Sequence, residues 1–342
     1  LTRCQEPTNR LKALTARARP NNEAAVMDLS LPPALNTVLQ LFDFSDAGRG
    51  LARRVATLAL HSNARLHLLH VIEPTRVASE PWTACGMALD SERAQFREKR
   101  LRAFVIEDLP PNLSVQADVR IGHLADEVVA CANSIAADLL VMPPQADPAP
   151  RRMAGGSATE RIARRIPCPA LTVPPSILSQ PGVDERLSPS NWRTILVPVD
   201  FSRATLGALK YAAALAHRNA GRVAILHVAG QSLDSERHEW CFQDFALRSK
   251  QDRLATWVES NGPLLIAYQL IVRIGLPPST AILLEACRLA ADIIVLGLSP
   301  LRWPRRLCAR RTTDSILRNT NCPVLSVHEA ILPPTQTQPQ AA

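Results

Sequence analysis

The sequence predicts an α/β protein built from two tandem, doubly wound domains, each around a five-stranded parallel sheet. Three observations carry this prediction. Residues 194–228 have the pattern of a strand, a helix and a second strand, and residues 37–71 show the same pattern 157 positions earlier. Later landmarks of the two halves stay 154 positions apart. A period this long indicates two domains, because solenoid repeats are far shorter.

The unit at residues 194–228 shows why these elements are expected. Its first apolar run stops at Asp200, Phe201 and Ser202, as a buried parallel strand does. Ser202 can cap the following helix, and Gly221 is expected to supply the left-handed residue that ends it. Asp200 therefore falls at the carboxyl end of a strand, where open α/β sheets bind ligands.

Both halves continue in the same order, with an expected strand order of 3-2-1-4-5. In the first half the pattern predicts a charged helix at 91–109, a strand at 115–121, a helix at 125–137, a fourth strand from 138, a helix after Ser157 and a last strand after Pro169. In the second half it predicts the charged helix at 235–260, a strand at 265–274, a helix at 280–290 and a strand at 292–296.

Changes in composition along the chain predict where its domains begin and end. They predict a disordered N-terminal tail at 1–33, a first domain at 34–175, a linker at 176–191, a second domain at 192–330 and a disordered tail at 331–342. The arginines of the first segment would suit a targeting peptide, but Glu6 and the lack of an apolar core make that the weaker alternative.

Cysteine usage and hydropathy point to the cytoplasm. The eight cysteines include no C-x-x-C pair, and Cys85, Cys131 and Cys287 lie in apolar patterns. They are expected to be buried thiols in a reducing compartment. No apolar run is long enough to cross a bilayer, so no membrane partner is expected.

The net charge of +8 is concentrated in two corresponding segments, 143–175 and 297–323. In the second segment the candidate anion-binding residues are Arg302, Arg305, Arg306, Arg310 and Arg311. Such side chains could hold a phosphate, a nucleotide or an acidic partner surface, and a solvated basic face is the alternative. Nucleic acid is not the expected partner, because an aromatic content of 4% leaves few stacking surfaces.

Short motifs recur in one order in both halves. They are Asp43-Phe44-Ser45 and Asp200-Phe201-Ser202, His70-Val71 and His227-Val228, residues 137–142 and 291–296, and residues 168–173 and 322–327. With these motifs each half resembles a universal stress protein domain, over roughly residues 35–175 and 192–328. The resemblance implies a Rossmann-like fold of the adenine nucleotide alpha hydrolase type. It also implies that the last strands of the two halves can pair edge to edge as an internal pseudo-dimer, with further homodimerisation left open.

The resemblance further implies an adenine-nucleotide site. Nucleotide-binding members carry G-x2-G-x9-G-[ST] after strand four, and its backbone N–H groups and helix start surround the phosphates. The loop is degenerate in both halves, because only Gly156 and Ser157 fit it in the first and only Gly297 in the second. The candidate nucleotide-binding residues are Asp43, Val71, Gly155, Gly156 and Ser157, then Asp200, Val228 and Gly297. ATP with Mg²⁺ is the candidate cofactor. For Ser157, a capping box with Glu160 is an equal alternative.

The expected function is a non-catalytic stress-response module that binds adenine nucleotide weakly in its first domain and acts on unidentified protein partners. No G-x-x-x-x-G-K-[ST], G-x-S-x-G or H-E-x-x-H motif occurs, and no catalytic residue or metal ligand is predicted. His70 and His227 are interpreted as structural, because neither is paired with a nucleophile. The alternatives are an adenine-nucleotide-dependent enzyme of a related α/β fold, or a basic-loop binder of nucleic acid or anions.

Overall fold

The computed structural model describes residues 34–74, 84–143, 157–178, 187–229, 240–261, 266–299 and 306–328. Within these ranges only the backbone is described at 84–87, 175, 240–246 and 306–311. The two predicted tails, and the candidate residues Gly155, Gly156, Arg302 and Arg305, lie outside the described residues. The same holds for part of the predicted linker.

The elements follow the predicted order in both halves. The first half contains β1 (Thr37–Leu41), α1 (Asp46–His61), β2 (Arg65–Ile72), α2 (Ala84–Asp108), β3 (Val115–Ile121), α3 (Leu124–Ser134), β4 (Leu139–Met142), α4 (Ala158–Ala163) and β5 (Ala170–Thr172). A short helix, α5 (Pro175–Leu178), and a 3-10 turn (Pro189–Asn191) lie in the segment between the halves. The second half contains β6 (Thr194–Val199), α6 (Arg203–Arg218), β7 (Arg222–Ala229), α7 (Trp240–Ser260), β8 (Ala267–Ile274), α8 (Pro278–Arg288), β9 (Ile293–Leu298), α9 (Arg306–Asn319) and β10 (Val324–His328).

All ten strands join one sheet in the order β3-β2-β1-β4-β5-β10-β9-β6-β7-β8. Each half keeps the predicted order 3-2-1-4-5 with parallel neighbours. The last strands pair antiparallel, with Leu171 opposite Leu325, which confirms the expected edge-to-edge pairing. Because strand direction reverses at this seam, the carboxyl ends of the two halves lie at opposite edges of the sheet. The two candidate sites are therefore separate.

Helices cover both faces of the sheet. The first core layer lies between the sheet and helices α1, α2, α6 and α7. The second core layer lies between the sheet and helices α3, α4, α8 and α9. Adjacent strand residues alternate between the layers, as Val38 and Leu39 do. Strands buried on both faces explain why the sequence shows continuous apolar runs rather than alternation.

Unusual backbone conformations occur as matched pairs. The non-glycine residues with positive φ are Phe44 and Phe201, Asn63 and Ala220, and Ala136 and Ala290, within the described residues. The prediction for Gly221 was wrong, because its neighbour Ala220 is the left-handed residue, at φ 48°. Gly221 is needed for a different reason. A Cβ there would lie 2.6 Å from the carbonyl oxygen of Arg193, so the glycine permits a close backbone approach.

A partly buried arginine connects the two halves across the seam. Arg164, at the end of α4, donates to the backbone oxygen of Ser299 at 3.0 Å and to Thr313 Oγ1 at 3.1 Å, both in the second half. Its Nε also donates to Glu160 at 2.9 Å. Part of the basic excess counted in the sequence is therefore an internal structural contact.

Cysteine burial follows the expectation only in part. Cys131 and Cys168 are buried free thiols, whereas Cys287 is exposed, so the expectation of a buried Cys287 was wrong. Cys287 lies on the outer face of amphipathic α8, which an apolar pattern alone did not distinguish from its inner face. The side chain of Cys85 is outside the described atoms. No described helix is long and apolar enough to cross a membrane.

Candidate functional site

The Asp-Phe-Ser motif of the first half is the turn that begins α1. Ser45 is the N-cap, and its Oγ accepts from the N–H of Gly48 at 2.9 Å. Asp43 Oδ1 accepts from the N–H of Ser45 at 3.0 Å and from its hydroxyl at 2.6 Å. Oδ2 of this exposed carboxylate accepts no hydrogen bond within the described part of the chain. Gly48 makes room for it, since a Cβ there would lie 2.1 Å from Asp43 Oδ1.

The second half forms a similar turn with one difference. Ser202 caps α6 by accepting from the N–H of Thr205 at 3.3 Å, and Asp200 Oδ1 accepts from the N–H of Ser202 at 3.0 Å. Thr205 stands where the first half has Gly48, and its single hydroxyl proton has two acceptors in reach, the backbone oxygen of Ser202 at 2.9 Å and Asp200 Oδ1 at 3.2 Å. The hydroxyl near Asp200 Oδ1 is therefore that of Thr205, whereas the hydroxyl at Asp43 Oδ1 is that of Ser45.

A histidine from the neighbouring strand braces each turn. His70 Nδ1 lies 2.8 Å from the backbone oxygen of Phe42, and His227 Nδ1 lies 3.0 Å from that of Val199. Because a carbonyl oxygen only accepts, Nδ1 carries the proton and both rings are held by the strand beside them. This geometry supports a structural role for both histidines. Val71 and Val228 follow them as half-buried strand residues that pack into the second core layer.

The central phenylalanine of each turn is surrounded by rings and cations. Phe44, at φ 62°, lies edge-on to His70 with ring centroids 4.8 Å apart, and the guanidinium groups of Arg97 and Arg100 lie 5.0 and 5.1 Å from its ring. Phe201, at φ 63°, has Arg253 at 4.6 Å. A left-handed conformation is unfavourable for a bulky residue, costing of order 1–3 kcal/mol, and persists only where the surroundings enforce it.

The arginines over these rings were not identified from the sequence. Arg97 and Arg100 are one turn apart on α2, and Lys250 and Arg253 have the same spacing on α7. A basic pair at this spacing inside a charged helix is the only signal that the sequence offered. The contact itself depends on how α2 packs over the end of β1 and how α7 packs over the end of β6.

We expect the two braced histidines to make stability depend on pH. Burial lowers the pKa of His70 and of His227 below the ordinary 6.5, and nearby cations, Arg97 for the first and Arg253 for the second, lower them further. As the pH falls through 6.5 the unfolded chain takes up protons that the folded chain does not, so the free energy of unfolding falls. This loss stops once the pH is below the folded-state pKa values.

Urea unfolding at about pH 7.5 and about pH 5.5 measures this effect. A double variant, His70→Gln with His227→Gln, should show a smaller loss of stability over that interval than the natural chain. His61→Gln, at the exposed end of α1, is the matched control and should keep the natural dependence. An unchanged pH dependence in the double variant would contradict the prediction.

Two of the remaining candidate residues, Ser157 and Gly297, have structural explanations in this fold. Ser157 is the N-cap of α4, and its Oγ accepts from the N–H of Glu160 at 3.2 Å, which is one of the two hydrogen bonds of a capping box. Gly297 lies inside β9, where a Cβ would come within 2.3 Å of the backbone oxygen of Ala204. Arg306, Arg310 and Arg311 lie on α9, whose side chains are described only from residue 312.

Both halves of this chain match one known protein family. The sequence model of the universal stress protein family matches residues 35–174 and 191–328. The chain belongs to the universal stress protein family. Each match covers one five-stranded half of the sheet, so this is a tandem universal stress protein with two family domains in one chain. No curated protein sequence matches it.

Solved structures agree on the fold of this universal stress protein. One is a universal stress protein from Archaeoglobus fulgidus DSM 4304, with 17% identity, coverage of 85% of this chain and 95% of that one, and a TM-score of 0.54. Another is a functionally unknown protein from Pseudomonas aeruginosa PAO1, with 17% identity, coverage of 87% and 94%, and a TM-score of 0.50. Both span the two repeats.

Proposed function

We propose that this universal stress protein is a non-catalytic binding module whose first repeat takes an adenine nucleotide beside Asp43. The observation that carries the proposal is the exposed Asp43 carboxylate at the carboxyl end of β1. Its Oδ1 is held by the α1 turn, while Oδ2 accepts no hydrogen bond among the described residues. The strand ends of an open α/β sheet are where such folds bind ligands.

Two kinds of group are available to a nucleotide at this edge. A carboxylate oxygen can accept from the exocyclic amino group of adenine, and guanidinium groups can bind phosphate oxygens with charge-assisted hydrogen bonds. Arg97 and Arg100 supply the guanidinium groups near Phe44. The first repeat suits this better than the second, because the guanidinium groups of Arg97 and Arg100 both lie over Phe44, whereas Arg253 contributes one over Phe201.

The non-catalytic part of the proposal follows from how the polar groups are used. The Ser45 hydroxyl donates to Asp43 and accepts from Gly48, so it serves the helix cap rather than facing a general base. The Nδ1–H of His70 is bound to a backbone oxygen. We extend the proposal to a cytoplasmic location with protein partners, which the free thiols of the described cysteines support.

Calorimetric titration of the full chain with ATP, with and without Mg²⁺, tests the proposal. We expect one site per chain, and Asp43→Asn should weaken ATP binding at least ~10-fold, since the amide loses the charged acceptor. The matched control is Asp200→Asn, which changes the same position of the other repeat and should leave binding unchanged. Gly156→Val should also weaken binding if the retained glycine loop contributes.

The same experiment can relocate the site or reject it. If Asp200→Asn or the double variant Arg310→Ala with Arg311→Ala abolishes binding while Asp43→Asn does not, the site lies in the second repeat. If no variant or natural chain binds ATP at millimolar concentration, the nucleotide proposal fails. Chromatography of ATP incubated with the protein tests the non-catalytic part. Formation of ADP or AMP by the natural chain, and its loss in Asp43→Asn, would contradict it.

A further inference from the structure

Three metal-ligating side chains meet in the first repeat, away from the strand ends. They are His67 on β2, Asp118 on β3 and Cys131 on α3. The ligand atoms of all three lie within 4.8 Å of one another. His67 and Cys131 are buried in the second core layer at 4% and 0% exposure, while the Asp118 side chain is 45% exposed. The cluster therefore has a protected side and an open side.

The hydrogen bonds of His67 orient it as a ligand. Its Nδ1 lies 3.3 Å from Gln116 Oε1, and its Nε2 lies 3.0 Å from Asp118 Oδ2. A carboxylate oxygen only accepts, so either a proton or a metal ion lies between Nε2 and Asp118 Oδ2. Metal-binding histidines are commonly held in this way through their other nitrogen.

The architecture that the two repeats share does not require these residues. The second repeat has Ala224, Ile271 and Glu285 at the corresponding positions, by the strand register and the 154-residue offset. In the second repeat Glu285, which occupies the position of Cys131, forms a buried ion pair with Arg273. A histidine, a carboxylate and a thiol converge in one repeat only, so shared architecture does not explain the cluster.

We propose that His67, Asp118 and Cys131 form a site for a divalent transition-metal ion of the zinc class. Imidazole, carboxylate and thiolate are the ligands that Zn²⁺ uses, and the thiolate discriminates against Mg²⁺ and Ca²⁺. On binding, the Cys131 S–H bond breaks, its proton passes to solvent and a metal–sulfur bond forms. The bound ion is then neutralised by one thiolate and one carboxylate. This site does not depend on the nucleotide proposal.

The distances suit a tetrahedral ion after a small adjustment. Tetrahedral zinc, with bonds of ~2.0–2.3 Å, holds its ligand atoms roughly 3.3–3.8 Å apart. The 3.0 Å between His67 Nε2 and Asp118 Oδ2 must therefore open slightly, and separations of up to 4.8 Å in the cluster must shorten to fit. The half-exposed carboxylate of Asp118 can supply part of that movement. Water can take the fourth position from the open side.

Titration of the chelator-treated full chain with Co²⁺ tests the site directly. Co²⁺ is the probe because a cobalt–thiolate bond gives a near-ultraviolet charge-transfer band and a tetrahedral site gives strong visible bands. We expect one ion per chain, displaced by equimolar Zn²⁺. Cys131→Ser should abolish the charge-transfer band, and Asp118→Asn should weaken Co²⁺ binding at least ~10-fold. Cys287→Ser, which removes an exposed thiol of the other repeat, is the matched control and should change neither.

Two outcomes would overturn the proposal. One is the absence of stoichiometric Co²⁺ and Zn²⁺ binding by the natural chain. The other is cobalt–thiolate absorption that persists in Cys131→Ser and in Asp118→Asn with natural affinity. Circular dichroism checks that the variants fold. If the buried Cys131→Ser variant does not fold, Asp118→Asn decides, since its side chain is half exposed and its replacement leaves the core intact.

Discussion

Replacing Gly297 with alanine or valine should destabilise the second repeat by about 3 kcal/mol or more. A Cβ at this position would lie 2.3 Å from the backbone oxygen of Ala204 and 2.7 Å from the backbone nitrogen of Thr205. Both atoms belong to the first turn of α6, so no side-chain rotation relieves the contact. β9 is also held on both sides by β6 and β10, and it cannot move away without breaking the sheet.

Urea unfolding followed by circular dichroism measures this loss. The matched control is Gly50→Ala, because a Cβ at Gly50 in α1 meets nothing within 4 Å. That substitution should be neutral or stabilising by up to ~1 kcal/mol, since alanine is the better helix former. Equal unfolding midpoints for Gly297→Ala and the natural chain would show that α6 and β9 are packed less closely than described.

Removing Glu285 should cost a similar amount for an electrostatic reason. Glu285 on α8 is 3% exposed, and its Oε1 accepts from Arg273 Nε at 2.7 Å, while Arg273 itself is 5% exposed. Its other oxygen accepts from Arg288 at 2.7 Å. Glu285→Ala leaves the Arg273 guanidinium buried without its counter-charge, so we expect a loss of about 3–5 kcal/mol in the free energy of unfolding.

An exposed ion pair gives the control for this prediction. Glu98 and Arg102 are one turn apart on α2, and both side chains are largely exposed. Glu98→Ala should therefore cost no more than ~0.5 kcal/mol. A double variant, Arg273→Leu with Glu285→Leu, should recover most of the stability that Glu285→Ala loses, because no buried charge remains. A double variant as unstable as the single one would show that packing, rather than the unpaired charge, causes the loss.

Local chemistry made several features predictable from the sequence. The caps at Ser45 and Ser202 follow from short polar side chains that stand where a helix begins, and both are present. β3 matches its predicted bounds because a short segment of alternating apolar and polar residues is closed by Gly122. The start of α2 was placed too late, at Ser91 instead of Ala84, because its early residues lack a helical apolar stripe.

Features that depend on approach between distant segments were not predictable. Glycine is the residue type that most readily adopts a left-handed conformation, so Gly221 was predicted to do so. A glycine is required there for another reason, because the backbone of Arg193 lies too close for a side chain. Gly297 was assigned to a phosphate loop by pattern, although its contact with α6 explains a glycine there. In both cases the deciding atom belongs to another element, and the spacing of residues along the chain contains no information on that distance.

The sequence by itself determined that this protein has two similar α/β domains, because periodic burial and short caps act within a few residues. Only the tertiary structure decided which polar groups meet. Folding brings His67, Asp118 and Cys131 together from β2, β3 and α3, and it places Arg164 of the first repeat against Ser299 and Thr313 of the second. Such contacts depend on strand register and helix packing, which local propensity does not encode.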